Sequence, residues 1–462
     1  MVKPADPHPP HGIPDIRDKA LLINHYLRMF APSMNLPAPS IFSQWLKNAS
    51  SFKFTLYAAF VSFMLYSCIF ALRKAFGVAA YEMAWQGVDF KVWMVISQIL
   101  GYMSSKFIGI KVISEMQPPR RAAAILFLTA AAAFTWLGFA VFPPPFNLLF
   151  PFLNGLTLGL IWGLVFSYLE GRRFTEILGA SLSVSFIFSS GAAKSLGSYL
   201  MLNFGVDQFW MPFAVSALVF PPLVICLWML NQLPPPTPED ERLRTKRMPM
   251  NREQRRNFFC AFMPGLILLV LTYVLLTVMR DFRDNFAGEI WGALGYADKP
   301  GIYALSETIV SLIVLVLIGS LMLIKQNRTA MIINHLIVIG GLLGVALCTW
   351  LFQHDCISPD AWMIGLGLGL YFGYIQFNSI FFDRLIAAFQ YVSNVGFLIY
   401  LADSFGYLGS ISVLLFKEFT APDIGWISFF VHLSYFVSVG GALLMMQALF
   451  YFSRKRISVK SL

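Results

Sequence analysis

Two stretches decide the fold: Gly155-Leu-Thr-Leu-Gly159-Leu-Ile-Trp-Gly163 and Gly365-Leu-Gly-Leu-Gly369-Leu-Tyr-Phe-Gly373. They share Gly, Leu, Leu, Gly, Leu and Gly at an offset of 210 residues. The same offset lays Arg73-Lys-Ala-Phe76 on Arg283-Asp-Asn-Phe286. An offset of 209 lays Ala193-Lys194-Ser-Leu-Gly197 on Ala402-Asp403-Ser-Phe-Gly406. Three matches at one nearly constant spacing predict a duplicated unit. The glycines, four apart in an apolar run, predict helices that approach one another closely.

Around these stretches the chain is strongly apolar. Of 462 residues, 57% are hydrophobic and 13% charged, about half the charged share of a soluble domain. That excludes a soluble multi-domain enzyme and a disordered or nucleic-acid-binding chain, despite a net charge of +10. Runs of about 20 apolar residues read as membrane-spanning helices. Twelve occur, near 54–73, 92–110, 122–142, 147–169, 178–200, 208–231, 258–280, 302–324, 329–352, 361–381, 390–416 and 424–452. The expected fold is an all-α membrane protein of two pseudo-symmetric six-helix bundles. The expected divisions are a cytoplasmic tail (1–51), a first bundle (52–231), a cytoplasmic linker (232–257), a second bundle (258–452) and a cytoplasmic tail (453–462). No signal peptide is read at the start, and Ile16 to Phe30 reads as an amphipathic stretch.

Placing both termini in the cytoplasm puts 25 of the 34 Lys and Arg residues in the tails and the even-to-odd loops. Lys91, Lys299 and Lys417 then lie on the opposite side, an asymmetry that supports this orientation in a bacterial inner membrane. The five cysteines and six histidines show no metal-ligand spacing, so neither metal nor cofactor is expected. No G-x-x-x-x-G-K-[ST] or H-E-x-x-H occurs, so neither an ATP-driven pump nor an intramembrane enzyme is expected.

Six cations remain within or at the ends of predicted spans: Arg73, Lys74, Lys106, Lys194, Arg280 and Arg283. Each costs about 2.5–3.5 kcal/mol on insertion scales, so each needs a partner, a wet cavity or a function. A duplicated helical unit places a substrate site near the midplane between its halves. Guanidinium forks from both halves suit a phosphate or carboxylate anion. Local neutralisation of Arg280 and Arg283 by Asp281 and Asp284 is the competing reading.

The sequence resembles the major facilitator superfamily, and within it the organophosphate:phosphate antiporter branch. Leu72-Arg73-Lys74-Ala-Phe76 is similar to that branch's Val-Arg-Lys-Asn-Phe. Gly101-Tyr-Met-Ser-Ser-Lys106-Phe-Ile-Gly109 is similar to its Tyr-Gly-Phe-Ser-Lys-Phe run. Arg280 stands where the branch has its second arginine, and Tyr303-Ala-Leu-Ser-Glu307 and Phe405-Gly-Tyr-Leu-Gly409 are also similar. The branch's span-five His is absent, and Lys194 stands on that span. The chain also resembles an uncharacterised bacterial family of such proteins, marked by Leu169-Glu170-Gly-Arg-Arg173 and Trp210-Met-Pro-Phe213.

The resemblance implies a monomeric secondary transporter that moves a small organic, phosphorylated anion through the lipid bilayer by alternating access. A non-transporting membrane sensor on the same fold is the alternative. The implied substrate-binding residues are Arg73 and Arg280, with Lys74 and Arg283 beside them; the repeat favours Arg283 as the partner of Arg73. In this fold spans two and eleven meet at one seam, and spans five and eight at the other. Lys106 is therefore expected to face Asp403, and Lys194 to face Glu307, as gating or coupling pairs.

Overall fold

The computed structural model describes residues 41–169, 172, 175–235, 252–389, 395–420 and 424–455. The stretch Ile16–Phe30 and most of the linker lie outside them. A short helix α1 (Ile41–Asn48) precedes the first half: α2 (Ser51–Lys74), α3 (Phe90–Glu115), α4 (Arg121–Val141), α5 (Leu149–Leu158), α6 (Ile161–Leu169), α7 (Thr175–Phe204) and α8 (Met211–Asn231). The second half comprises α9 (Arg252–Asn285), α10 (Ala287–Trp291), α11 (Ile302–Leu321), α12 (Asn327–Gln353), α13 (Pro359–Ser379), α14 (Phe381–Ala388), α15 (Val395–Thr420) and α16 (Trp426–Arg454). A small antiparallel hairpin, β1 (Ala84–Trp85) and β2 (Val88–Asp89), caps the turn between α2 and α3.

Among the described residues, nine helical segments are long and apolar enough to cross a membrane. Three others, α3, α13 and α15, have spanning lengths of 26, 21 and 26 residues. Helix α13 is less apolar because four glycines, two tyrosines, Gln376 and Asn378 take places that Leu and Ile fill elsewhere. Large apolar side chains such as Phe134, Val316 and Phe436 point outward, as a lipid solvent requires. Lipid tails are as apolar as leucine, so close packing and polar contacts must hold the helices together.

The repeated glycines serve that packing, with different neighbours in each half. A Cβ at Gly155 would stand 2.2 Å from the Gln98 carbonyl oxygen on α3. In the second half, a Cβ at Gly369 would stand 2.3 Å from the Gly341 carbonyl oxygen on α12. The helix breaks at Gly159–Leu160, between α5 and α6, while α13 continues through the matching Gly369. Across the halves, α3 meets α15 and α7 meets α11. The second seam is tight: a Cβ at Gly191 of α7 would stand 2.3 Å from the Tyr303 carbonyl oxygen of α11.

Candidate functional site

Helix α2 ends at Lys74 in a 3-10 turn over Ala75–Val78, which frees carbonyls in its last turn. The buried Trp136 and Asn154 side chains donate to the Leu72 carbonyl, the latter at 3.2 Å. Gln98 donates to the Arg73 carbonyl at 2.9 Å and to the Asn154 Oδ1 at 3.0 Å. This network fixes the direction in which Arg73 leaves the helix. The Arg73 guanidinium lies over the Tyr102 ring, 3.8 Å from its centroid. Its Nε has no hydrogen-bond partner, and among the described residues no carboxylate is in ion-pair range of it.

The other five cations are all paired. Lys106 contacts Asp403 across the α3–α15 seam, the juxtaposition expected from sequence, and Tyr273 also donates to Asp403. Arg280 pairs with its neighbour Asp281 at 2.6 Å and touches the Tyr374 hydroxyl. Asp281 also accepts from Ser410 at 2.8 Å.

Two expectations need correction. Lys194 pairs with Asp284, not with Glu307. Glu307 instead holds Arg283, which also donates to the Met363 carbonyl at 3.1 Å. Arg283 and Asp284 are adjacent on α9 and project about 100° apart. Arg283 therefore turns back into its own half, and Asp284 turns towards the first half. There Asp284 receives Lys74 at 2.9 Å, Lys194 and Ser190. Arg283 does not line the cavity between the halves, whereas Arg73, Lys74 and Arg280 do.

That cavity has a volume of about 490 Å³. Met116, Arg121, Ser167 and Asp383 line its mouth, at the helix ends nearest the described termini. The other end is sealed. Lys91, buried at the start of α3, binds both Glu289 oxygens at 2.6 Å and the Gly77 carbonyl at 3.1 Å. From sequence Lys91 reads as a loop charge; its position just before an apolar run is the one sign of its burial. Nearby, the Asp89 amide donates to Glu418 at 3.3 Å. Burial and the Glu418 charge raise the Asp89 carboxyl above its ordinary value.

Gly288 completes the seal, since a Cβ there would stand 2.2 Å from the Val78 carbonyl oxygen. Gly288→Leu is therefore expected to wedge the seal open. Hydrogen exchange of the 75–79 backbone should then rise at least about tenfold, because protection reports local opening. Unchanged exchange would show that this contact does not hold the seal.

Two helical halves around a central cavity, closed at one end, define the major facilitator fold. A crystal structure of a D-xylose-proton symporter superposes with a TM-score of 0.58 at 15% identity, covering 89% of this chain and 99% of the symporter. The xylose transporter XylE of E. coli, partially occluded and inward open, superposes with a TM-score of 0.53 at 15% identity, covering 86% and 97%. Residues 75–455 match the profile described as "Family of unknown function (DUF5690)", and the chain belongs to that family. No curated protein matches the sequence.

Proposed function

We propose that the chain is a secondary transporter that moves a small organic anion by alternating access. Arg73 and Arg280, one from each half, would grip the anionic group, with Lys74 beside them. The observation that carries this reading is the state of Arg73, a buried guanidinium on the cavity wall with no carboxylate of its own. Such a group is costly unless a ligand or water completes it.

The charge balance points the same way. Among the described residues, six cations in the middle layer (Arg73, Lys74, Lys106, Lys194, Arg280 and Arg283) meet four carboxylates, Asp281, Asp284, Glu307 and Asp403. Two positive charges are left over. A phosphate monoester offers up to two negative charges and three acceptor oxygens at one end, which suits two guanidinium forks. This agrees with the resemblance to the organophosphate:phosphate antiporter branch. A neutral sugar would leave both charges uncompensated, so the cargo named for those two transport proteins is not carried over.

In this reading both termini are cytoplasmic in the inner membrane, and the cavity is open to the cytoplasm. The Lys106–Asp403 pair and the Asp284 cluster are the contacts that change as the halves rock. The protein would act as a monomer and without a cofactor. Proteoliposomes loaded with inorganic phosphate should take up labelled phosphate by exchange, and an external phosphate monoester should compete. No uptake above empty vesicles with any phosphate or dicarboxylate in the lumen would overturn the proposal.

A further inference from the structure

The wall facing the arginines from the first half is built of rings. Trp162 and Phe166, one turn apart on α6, stack at 5.0 Å between centroids and 6° between planes. Phe70 and Phe186 stack at 5.8 Å and 14°, and Tyr66 leans on Phe186 at 5.0 Å. All five line the cavity. Glycines 159, 163 and 179 line it beside them, and a Cβ at Gly179 would stand 3.3 Å from the Phe166 ring. The break after α5 restarts the helix at Ile161, and α6 carries Trp162 on the cavity wall. Its repeat equivalent, Phe372, sits on the unbroken α13 and packs towards Gly341 instead.

We infer that the site takes an anion with a flat aromatic or heteroaromatic body. Its ring would lie against the Trp162–Phe166 pair. Its anionic group would reach Arg73 and Arg280. This rests on the proposed function and narrows it from organic anions in general to aryl or heteroaryl phosphates and carboxylates. Ring stacking tolerates many ring identities, because every such ring has a π face.

The test measures binding of phenyl phosphate, glycerol phosphate and inorganic phosphate to the full chain in detergent. Phenyl phosphate is expected to bind at least about tenfold tighter than glycerol phosphate or inorganic phosphate, within the range of one stacking interaction. Trp162→Ala should remove that preference and leave inorganic phosphate binding intact, which also shows that the variant is folded. Trp162→Phe should keep the preference for phenyl phosphate. Equal binding of phenyl and glycerol phosphates, with both dependent on Arg73, would overturn this inference and leave the proposed function standing. Absence of any Arg73-dependent binding would overturn both.

Discussion

Arg73→Ala is expected to abolish anion binding without destabilising the empty protein. The guanidinium makes no ion pair that its removal would break, and its contact is the face of Tyr102 at 3.8 Å. A cation over a ring contributes about 0.5–2 kcal/mol. Burying an unpaired ion costs several kcal/mol. The desolvation cost is the larger of the two, so thermal stability should hold or rise slightly. Affinity should move the other way. Truncating one partner of a buried, hydrogen-bonded charge pair costs about 2–5 kcal/mol, or roughly 30- to several-thousand-fold. Stability and binding measured on the same variant separate a residue kept for a ligand from one kept for the fold. A loss of several kcal/mol of stability would show that Arg73 is structural.

Asp284→Asn should give the opposite result. Asp284 is the carboxylate from the second half that Lys74, Lys194 and Ser190 of the first half all approach. Lys74 and Lys194 are 4% and 3% exposed, so losing the carboxylate leaves two ammonium groups buried without a counter-charge. Breaking a buried pair in this way costs about 3–5 kcal/mol. Denaturation of Asp284→Asn should show that loss, and Lys194→Met added to it should recover much of it, because one orphaned cation is then removed. A double-mutant cycle yields the coupling directly. Additive effects in that cycle would mean that Lys194 and Asp284 do not depend on one another. The same cluster lies on the sealed side of the cavity, next to Gly77, where a Cβ would meet the Asp284 carbonyl at 3.2 Å. Loosening it is therefore also expected to favour opening of that seal.

The large features were legible because their causes are local in sequence. Apolar runs set the helices, and the matched glycines mark places where backbones touch. The insertion cost of a charge singled out the six intramembrane cations before any contact was known. The Lys106–Asp403 contact was legible because the resemblance to the major facilitator superfamily implies which spans meet at the two seams. The partner of Lys194 was not, since two carboxylates on the second half lie within reach of one lysine. The choice between them depends on the rotation of α9 about its axis, which sequence fixes only through the packing of every neighbour. Arg283 shows the same limit. Residues 280 and 283 share a face in outline, yet Glu307 and the Met363 carbonyl draw Arg283 behind the cavity wall. The Lys91–Glu289 closure was missed because a lysine at a span's start reads as a loop charge until a buried acceptor is found for it.

The central claim is that an anion completes Arg73 between the two halves. The most direct test is thermal unfolding of the purified protein and of Arg73→Ala against inorganic phosphate, glycerol phosphate, phenyl phosphate and succinate. A ligand at 100 times its dissociation constant should add about 2.7 kcal/mol of apparent stability. The account predicts that at least one of these anions stabilises the wild-type protein to that extent and leaves Arg73→Ala unmoved. Stabilisation of both proteins alike, or of neither by any anion, would contradict it.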